Sequence, residues 1–273
     1  MNNPLRQYFR RPALFISLPS KGNYYPENTI DLPVNGELPV FPMTAIDEIT
    51  SKTPDALFNG SALVELIKSC VPNIKDPWGI PLTDLDTILI AIRTATNGND
   101  LEIESVCPSC EEESKYSVNL IGLLSEIKVS GYDESFTLGE LIFNFKPLSY
   151  REANKGNMKQ FELQKEIQNI DNLEDIDEKT KRSKETLRKL TEANVELMSA
   201  TIGSITTPTD VVTSNQFIKE FLEGCDRNTF DQIRSKVVAL REESNVKPLS
   251  VKCPHCSHEY TQPISLNPTD FFG

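Results

Sequence analysis

Four of the six cysteines in this chain fall in two motifs of one form, C-P-S-C at Cys107 to Cys110 and C-P-H-C at Cys253 to Cys256. Two C-x-x-C knuckles supply four thiolates, the set a tetrahedral zinc ion takes in a closed structural site. Each knuckle alone is a weak signal. Two of identical form, each lying between alternating strand-like segments, predict one shared Zn2+ site made of Cys107, Cys110, Cys253 and Cys256. The spacer between Cys110 and Cys253 is far longer than the usual ribbon spacing, so this reading requires an insertion between the two halves. The metal would then fasten the end of the chain back onto its middle, with no open position for a substrate.

Other chemistries compete for the same residues. His255 or His258 could replace one thiolate, because zinc accepts imidazole equally well. Four thiolates could hold iron instead. The C-P-H-C run also has the form of a thiol oxidoreductase motif, but that chemistry needs a thioredoxin-like fold behind the first cysteine, and little chain follows Cys256. Cys70 and Cys225 lie in or beside helical segments and read as small buried hydrophobes.

Catalytic signals are weak elsewhere. The chain has only two histidines, both in the second knuckle, so a histidine base for a Ser or Cys nucleophile has no source. There is no phosphate-binding glycine loop and no H-E-x-x-H motif. The pairs Asp84 with Asp86 and Asp47 with Glu48 fall where first helical turns begin, and carboxylates are favoured there for capping and dipole reasons alone. The sequence therefore reads as non-enzymatic.

The elements that would position the cysteines follow from periodicity. Over 273 residues, 38% are apolar and 25% charged, a globular composition. The longest apolar run, Thr87 to Ile92, is far below the roughly 18 residues of a membrane span. No secretory signal is read near Met1, so a reducing cytoplasm is expected, where paired cysteines more often hold metal than form disulfides. A formal charge of -12 repels phosphate backbones and favours protein partners over nucleic acid.

Residues 1–43 carry seven prolines and read as an extended proline-rich arm whose aromatics, Tyr8, Phe9, Phe15, Tyr24, Tyr25 and Phe41, need a surface to lie on. Residues 44–100 read as a helical core. Its helices are expected to be capped by Thr44 with Asp47, by Thr53 before Pro54, by the Asn59 to Ser61 turn, and by Thr83 with Asp86, the last ending at Asn97-Gly98. Residues 101–148 and 248–273 read as a zinc-ribbon-like β module, including a hairpin with Leu141, Phe143 and Phe145 alternating. Residues 149–247 read as an insertion: a protruding helical hairpin from Tyr150 to Ala200, whose apolar positions are too sparse for sustained heptads, a linker at Ile202 to Asp210, and two further helices, about Val211 to Glu223 and Asn228 to Glu242. The fold class is α+β: a helical core with a zinc-ribbon-like β element built from two distant C-x-x-C knuckles.

The segment from Val40 to Cys110 resembles the baseplate hub assembly proteins of T-even-type contractile-tailed bacteriophages. The resemblance is carried by P-M-T-A-I-D-E-I, the T-P-D-A-L turn, S-C-V-P-N-I-K-D-P-W, D-L-D-T-I-L-I-A-I-R and the C-P-x-C ending, with C-P-H-C-S-H-E-Y and N-P-T-D-F-F-G near the end in support. The arm and the helical hairpin carry little of it. It implies a late, non-enzymatic viral protein that helps build the central hub of the tail baseplate in the host cytoplasm, through contacts with other hub or tail proteins. A transient tail assembly chaperone is the nearest alternative, and a metal-dependent or thiol redox enzyme the alternative from another class. A symmetric hub invites oligomers. Within the matched region Asp76, Pro77 and Trp78 are the partner-facing candidates, since the only tryptophan lies there in a proline-bounded loop and tryptophan is enriched in interface hot spots.

Overall fold

A computed structural model describes residues 4–53, 60–127, 131–171, 175–264 and 271. The chain mixes helices with small antiparallel sheets and divides into two compact units. The first is discontinuous, Met1–Val129 with Ser244–Gly273, and the second is Ser130–Glu243.

The first unit opens with a 3-10 turn at Pro4–Tyr8 and two short strands, β1 (Leu14–Ser17) and β2 (Glu37–Val40), paired antiparallel. Prolines keep this stretch out of α-helix, although the 3-10 turn at Pro4–Tyr8 departs from the expected absence of any helix, and the stretch does not run free. Ile16, Leu18, Leu38 and Val40 are buried. Arg10 donates to the carbonyls of Pro42 and Ser69, to the Ser69 hydroxyl and to Asp47. The arm thus packs on its own unit, while Tyr8, Phe9 and Phe15 stay exposed.

Three described helices follow. Helix α1 (Ala45–Ser51) carries the predicted capping box, with Thr44 accepting from the Asp47 amide and Asp47 accepting from the Thr44 amide. The expected Thr53-Pro54 start and Asn59 lie in or against 54–59, outside the described residues. Helix α2 (Ser61–Cys70) is preceded by Gly60 at positive φ, so Ser61 begins the helix and does not cap it. Helix α3 (Leu82–Asn97) starts one residue earlier than its predicted Thr83 cap, behind Pro81. Thr83 and Asp84 point inward from its first turn and are buried. Proline can occupy this entry because its missing N–H is not needed there. Gly98, at positive φ, ends the helix as predicted.

Two hairpins complete the unit. Strands β3 (Asp100–Val106) and β4 (Glu113–Asn119) pair in register from Asp100 with Asn119 to Val106 with Glu113, and the short helix α4 (Leu120–Glu126) follows, with Asn119 capping it. Far along the chain, β9 (Leu249–Lys252) and β10 (Glu259–Gln262) pair in the same sense.

The second unit is built on a four-stranded antiparallel sheet: β5 (Phe136–Leu138), β6 (Leu141–Phe145), β7 (Ile202–Thr206) and β8 (Val211–Val212), in that order. The Leu141, Phe143 and Phe145 hairpin forms as predicted, but it belongs to this sheet and not with the cysteine hairpins. The predicted linker is strand β7, with Ile202 and Ile205 buried. Gly203, Ser204 and Thr206 hid its alternation, and only the turn at Thr207 to Asp210 behaves as a connection. Phe136, Phe143, Phe145 and Phe221 form an aromatic cluster with neighbouring centroids about 6 Å apart.

Helices α5 (Tyr150–Asp171) and α6 (Ile176–Ala200) form an antiparallel pair, and α7 (Asn215–Gly224) and α8 (Arg227–Ser244) pack over the sheet. Asp226 accepts from the amides of Asn228 and Thr229 and caps α8, as expected. The pair α5 and α6 has a seam after all. Gly156, Leu163 and Ile170 are buried at seven-residue steps, as are Thr186 and Ala193. Glycine, threonine and alanine fill positions where a search for apolar residues finds gaps.

Candidate metal centre

The chain builds the site from two copies of one local device. In the first, the Cys107 amide donates to the Glu112 carbonyl and the Glu111 amide to the Cys107 carbonyl. In the second, Cys253 donates to His258 and Ser257 to Cys253, over the same intervals. Glu111 and Ser257 both adopt positive φ, 61° and 59°, which turns each loop back toward its strand. The flanking strand pairs close at the same distance: Val106 faces Glu113 and Lys252 faces Glu259. The shared sequence form is therefore a shared fold.

The two loops meet. Cys107 Sγ lies 3.7 Å from Cys256 Sγ and Cys110 Sγ 3.6 Å from Cys253 Sγ, and all four sulfurs fall within 4.8 Å of one another. Four sulfurs around a zinc at about 2.3 Å would be about 3.8 Å apart, so an ion of that size fits with little movement. The cysteines are free of disulfides. Cys107 and Cys253 are buried, Cys110 is half-buried and Cys256 exposed. The group holds only cysteine. His255 and His258 are exposed and outside it, and the His258 ring stacks on Tyr260.

Backbone amides are aimed at the sulfurs. Burial pushes the Cys107 thiol up, but the amides of Ser109 and Cys110, aided by Cys256 and Cys110, bring it down to about 7. For Cys253 the Cys256 amide, with that of His255, outweighs burial and lowers the thiol. At Cys110 the Glu112 amide lowers it, while burial and three neighbouring thiols together push it up to about 12. Four sulfurs this close cannot all ionise without a cation among them. The donor set thus suits a divalent thiophilic metal, with amides as the outer layer that such thiolates need.

Side chains that sequence reasoning did not single out tie the hairpins together. Ser105 on β3 donates to Gln262 Oε1 at 2.6 Å and shares a hydrogen bond with Tyr260 at 3.0 Å. The Tyr116 hydroxyl on β4 reaches the Lys252 carbonyl and Tyr260, both at 3.3 Å. Inward-facing polar residues at matched strand positions were the available signal.

The remaining candidates have structural partners. Asp47 caps α1 and receives Arg10. Burial pushes its carboxyl up, but donors from Thr44 and Ser69 with the Arg10 charge hold it below the usual range. Glu48 pairs with Lys52 one helical turn on. Asp84 is fully buried and accepts from the Ser20 amide and hydroxyl. Burial lifts its carboxyl despite these donors. Asp86 is pushed up to about 6 by burial, against the Val246 amide that it accepts from. Cys70 is buried and its thiol pushed up to about 12 by burial, while half-buried Cys225 ends α7.

Pro77–Gly79 form a 3-10 turn capped by Asp76, which accepts from the Trp78 amide. The Lys75 and Asp76 amides donate to the Thr29 carbonyl, and Gly79 sits so close to Thr29 and Pro26 that a Cβ would collide. Pro77 is buried and Trp78 half-buried, and the turn is fixed to its own unit.

This arrangement places the protein in the class of chains with a paired C-x-x-C cluster able to bind a metal. Its family is more particular. The profile of the T4 bacteriophage base plate protein family matches residues 31–273, and the chain belongs to that family. No curated protein and no solved structure matches it significantly. Among the described residues no helix is long and apolar enough to cross a membrane.

Proposed function

We propose that the chain is a non-enzymatic protein for assembly or architecture of the baseplate central hub, acting through contacts with other hub or tail proteins. Its four cysteines hold a structural Zn2+ in a zinc-ribbon-like pair of hairpins. The observation that carries the metal reading is the convergence of four sulfurs from loops 143 and 149 positions apart onto tetrahedral spacing. Four protein ligands leave no position for water or substrate, so the ion stabilises and does not catalyse. Family membership supports the tail as the place of action, with assembly in the host cytoplasm. Trp78, presented from its fixed turn, is a contact residue for a partner.

The test is made in infected cells with a phage whose copy of this gene is interrupted, supplied with the chain from a plasmid. Complete tails should require the chain, and mass spectrometry of purified tails should find it in the baseplate. Requirement without retention would assign the chain to transient assembly instead. Normal tails without it would refute the proposal. The Trp78→Ala variant should fold with unchanged circular dichroism yet restore tails at least tenfold less well; full restoration would remove Trp78 from the contact surface.

A further inference from the structure

Tyr8, Phe9 and Phe15 are 77%, 59% and 59% exposed, yet the stretch that carries them is held in place. The Phe9 amide donates to the Arg6 carbonyl, and β1 pairs with β2. Arg10 is fastened to Pro42, Asp47 and Ser69, with its guanidinium over the Phe41 ring. Arg6 and Arg11, on either side of Tyr8 and Phe9, are exposed as well. Aromatic residues and arginine are enriched where proteins touch, and a backbone that is already ordered loses little freedom on docking.

Charge indicates what this stretch would meet. Arg6, Arg10, Arg11 and Lys21 precede the first acidic residue, Glu27, so all 40 acidic residues lie in the remainder of a chain with a formal charge of -12. The same unit presents a surface of the opposite kind. Strands β3 and β4 bury Leu101, Ser105, Ser114 and Val118 on one face, and the other is exposed. That outward face carries Asp100, Glu102, Glu104 and Val106 on β3, opposite Asn119, Ser117, Lys115 and Glu113 on β4. Glu104 pairs with Lys115 at 2.9 Å, and the charges of Glu102 and Glu113 act on that same ammonium. Negative charge is therefore in excess, with Val106 exposed among the carboxylates.

We propose that residues 6–15 of one copy dock on the outward β3–β4 face of a second copy, with Tyr8, Phe9 and Phe15 covering apolar surface around Val106 while Arg6 and Arg11 meet Glu102 and Glu113. The two surfaces differ, so the contact is head to tail and repeats from copy to copy, closing into a ring where the rotation permits. Copies of a chain this acidic repel one another in most orientations, and the basic arm selects the one in which they attract. A protein face fits this arm better than an anionic lipid surface, because such a surface repels the body on which the arm is fixed.

The test is sedimentation velocity of the purified full chain over a range of concentrations. Wild type should associate, and added salt should weaken the association. Tyr8→Ser combined with Phe9→Ser should weaken it at least about tenfold, the scale for removing an aromatic anchor. Two charge-reversed chains, one with Arg6→Glu and Arg11→Glu and the other with Glu102→Lys and Glu113→Lys, should each remain monomeric. All six positions are exposed, so thermal midpoints should stay within about 2 °C of wild type. Mixing the two reversed chains should restore association, because each then meets an opposite charge; misfolding in either would not be rescued in this way.

A wild type that is monomeric at every concentration would overturn the proposal. So would association that survives both reversals, or a mixture of the reversed chains that stays monomeric. Binding to phosphatidylglycerol vesicles that Arg6→Glu with Arg11→Glu abolishes, without self-association of wild type, would assign the arm to a lipid surface instead.

Discussion

Replacing Cys253 by serine tests whether the two knuckles make one metal site. The sulfur lost is buried, lies 3.6 Å from Cys110 and is served by two amides. Serine offers a hydroxyl that does not ionise near neutral pH, so the site keeps three thiolates and loses its tetrahedron. Metal that binds only the folded chain adds RT ln(1 + [M]/Kd) to stability. At free metal about a thousand times Kd, that is about 4 kcal/mol. For a chain of this size each kcal/mol moves the midpoint by roughly 2–4 °C, so the transition should fall by about 8–16 °C.

The assay is elemental mass spectrometry on protein purified without chelator, paired with thermal unfolding. Wild type should carry one zinc per chain, and Cys253→Ser should carry none and melt lower. A chelator should bring wild type down to the same midpoint, while His255→Ala leaves both readings unchanged. Retention of one metal by Cys253→Ser, or a midpoint indifferent to chelator, would show that the distant halves do not share an ion.

Two further outcomes follow from the packing and the titrating groups. A Cβ on Gly156 would meet the Leu197 side chain at 2.7–2.8 Å, closer than carbon atoms approach. Gly156→Val should therefore loosen α5 from α6 by about 1–3 kcal/mol, read as faster amide exchange in both helices; slower exchange would show that the close approach is not needed. Asp86 is pushed up to about 6 from 3.8, so the folded state holds its proton more tightly than the unfolded chain does. Its ionisation costs stability as pH rises through that window. Asp86→Asn keeps an oxygen for the Val246 amide and should match wild type near pH 4 but exceed it above pH 7 by at most about 3 kcal/mol. Urea unfolding at both pH values checks this, and a difference independent of pH would refute it.

The clustering of the four cysteines was legible because its information is local. Each knuckle declares itself by C-P-x-C between alternating residues, and the loops proved alike down to positive φ at Glu111 and Ser257. The capping box at Thr44 and the stop at Gly98 were readable for the same reason. Strand β7 was not, because a five-residue strand containing glycine, serine and threonine has the composition of a loop and is made a strand by β6 and β8 on either side. The α5–α6 seam was missed because close helix approach selects small residues, so Gly156, Thr186 and Ala193 carry a pattern that hydrophobicity does not record.

Asp84 and Asp86 show why the first turn of α3 matters to the packing of its unit. Dipole and capping arguments explain carboxylates there, but not why one of them is fully buried. The structure gives each a remote donor: Ser20 for Asp84 and the Val246 amide for Asp86. One helical turn thus holds a segment that precedes it by 64 positions and another that returns from the second unit. The cysteine hairpins repeat the logic, with Cys107 and Cys110 from the first stretch meeting Cys253 and Cys256 from the returning one. Because the first unit is discontinuous, its two stretches gain nothing from chain proximity, and contacts between them must supply what a short loop would supply elsewhere. Asp86 and the four cysteines therefore link the two stretches at different points, whereas Asp84 ties Ser20 to α3 within the first stretch.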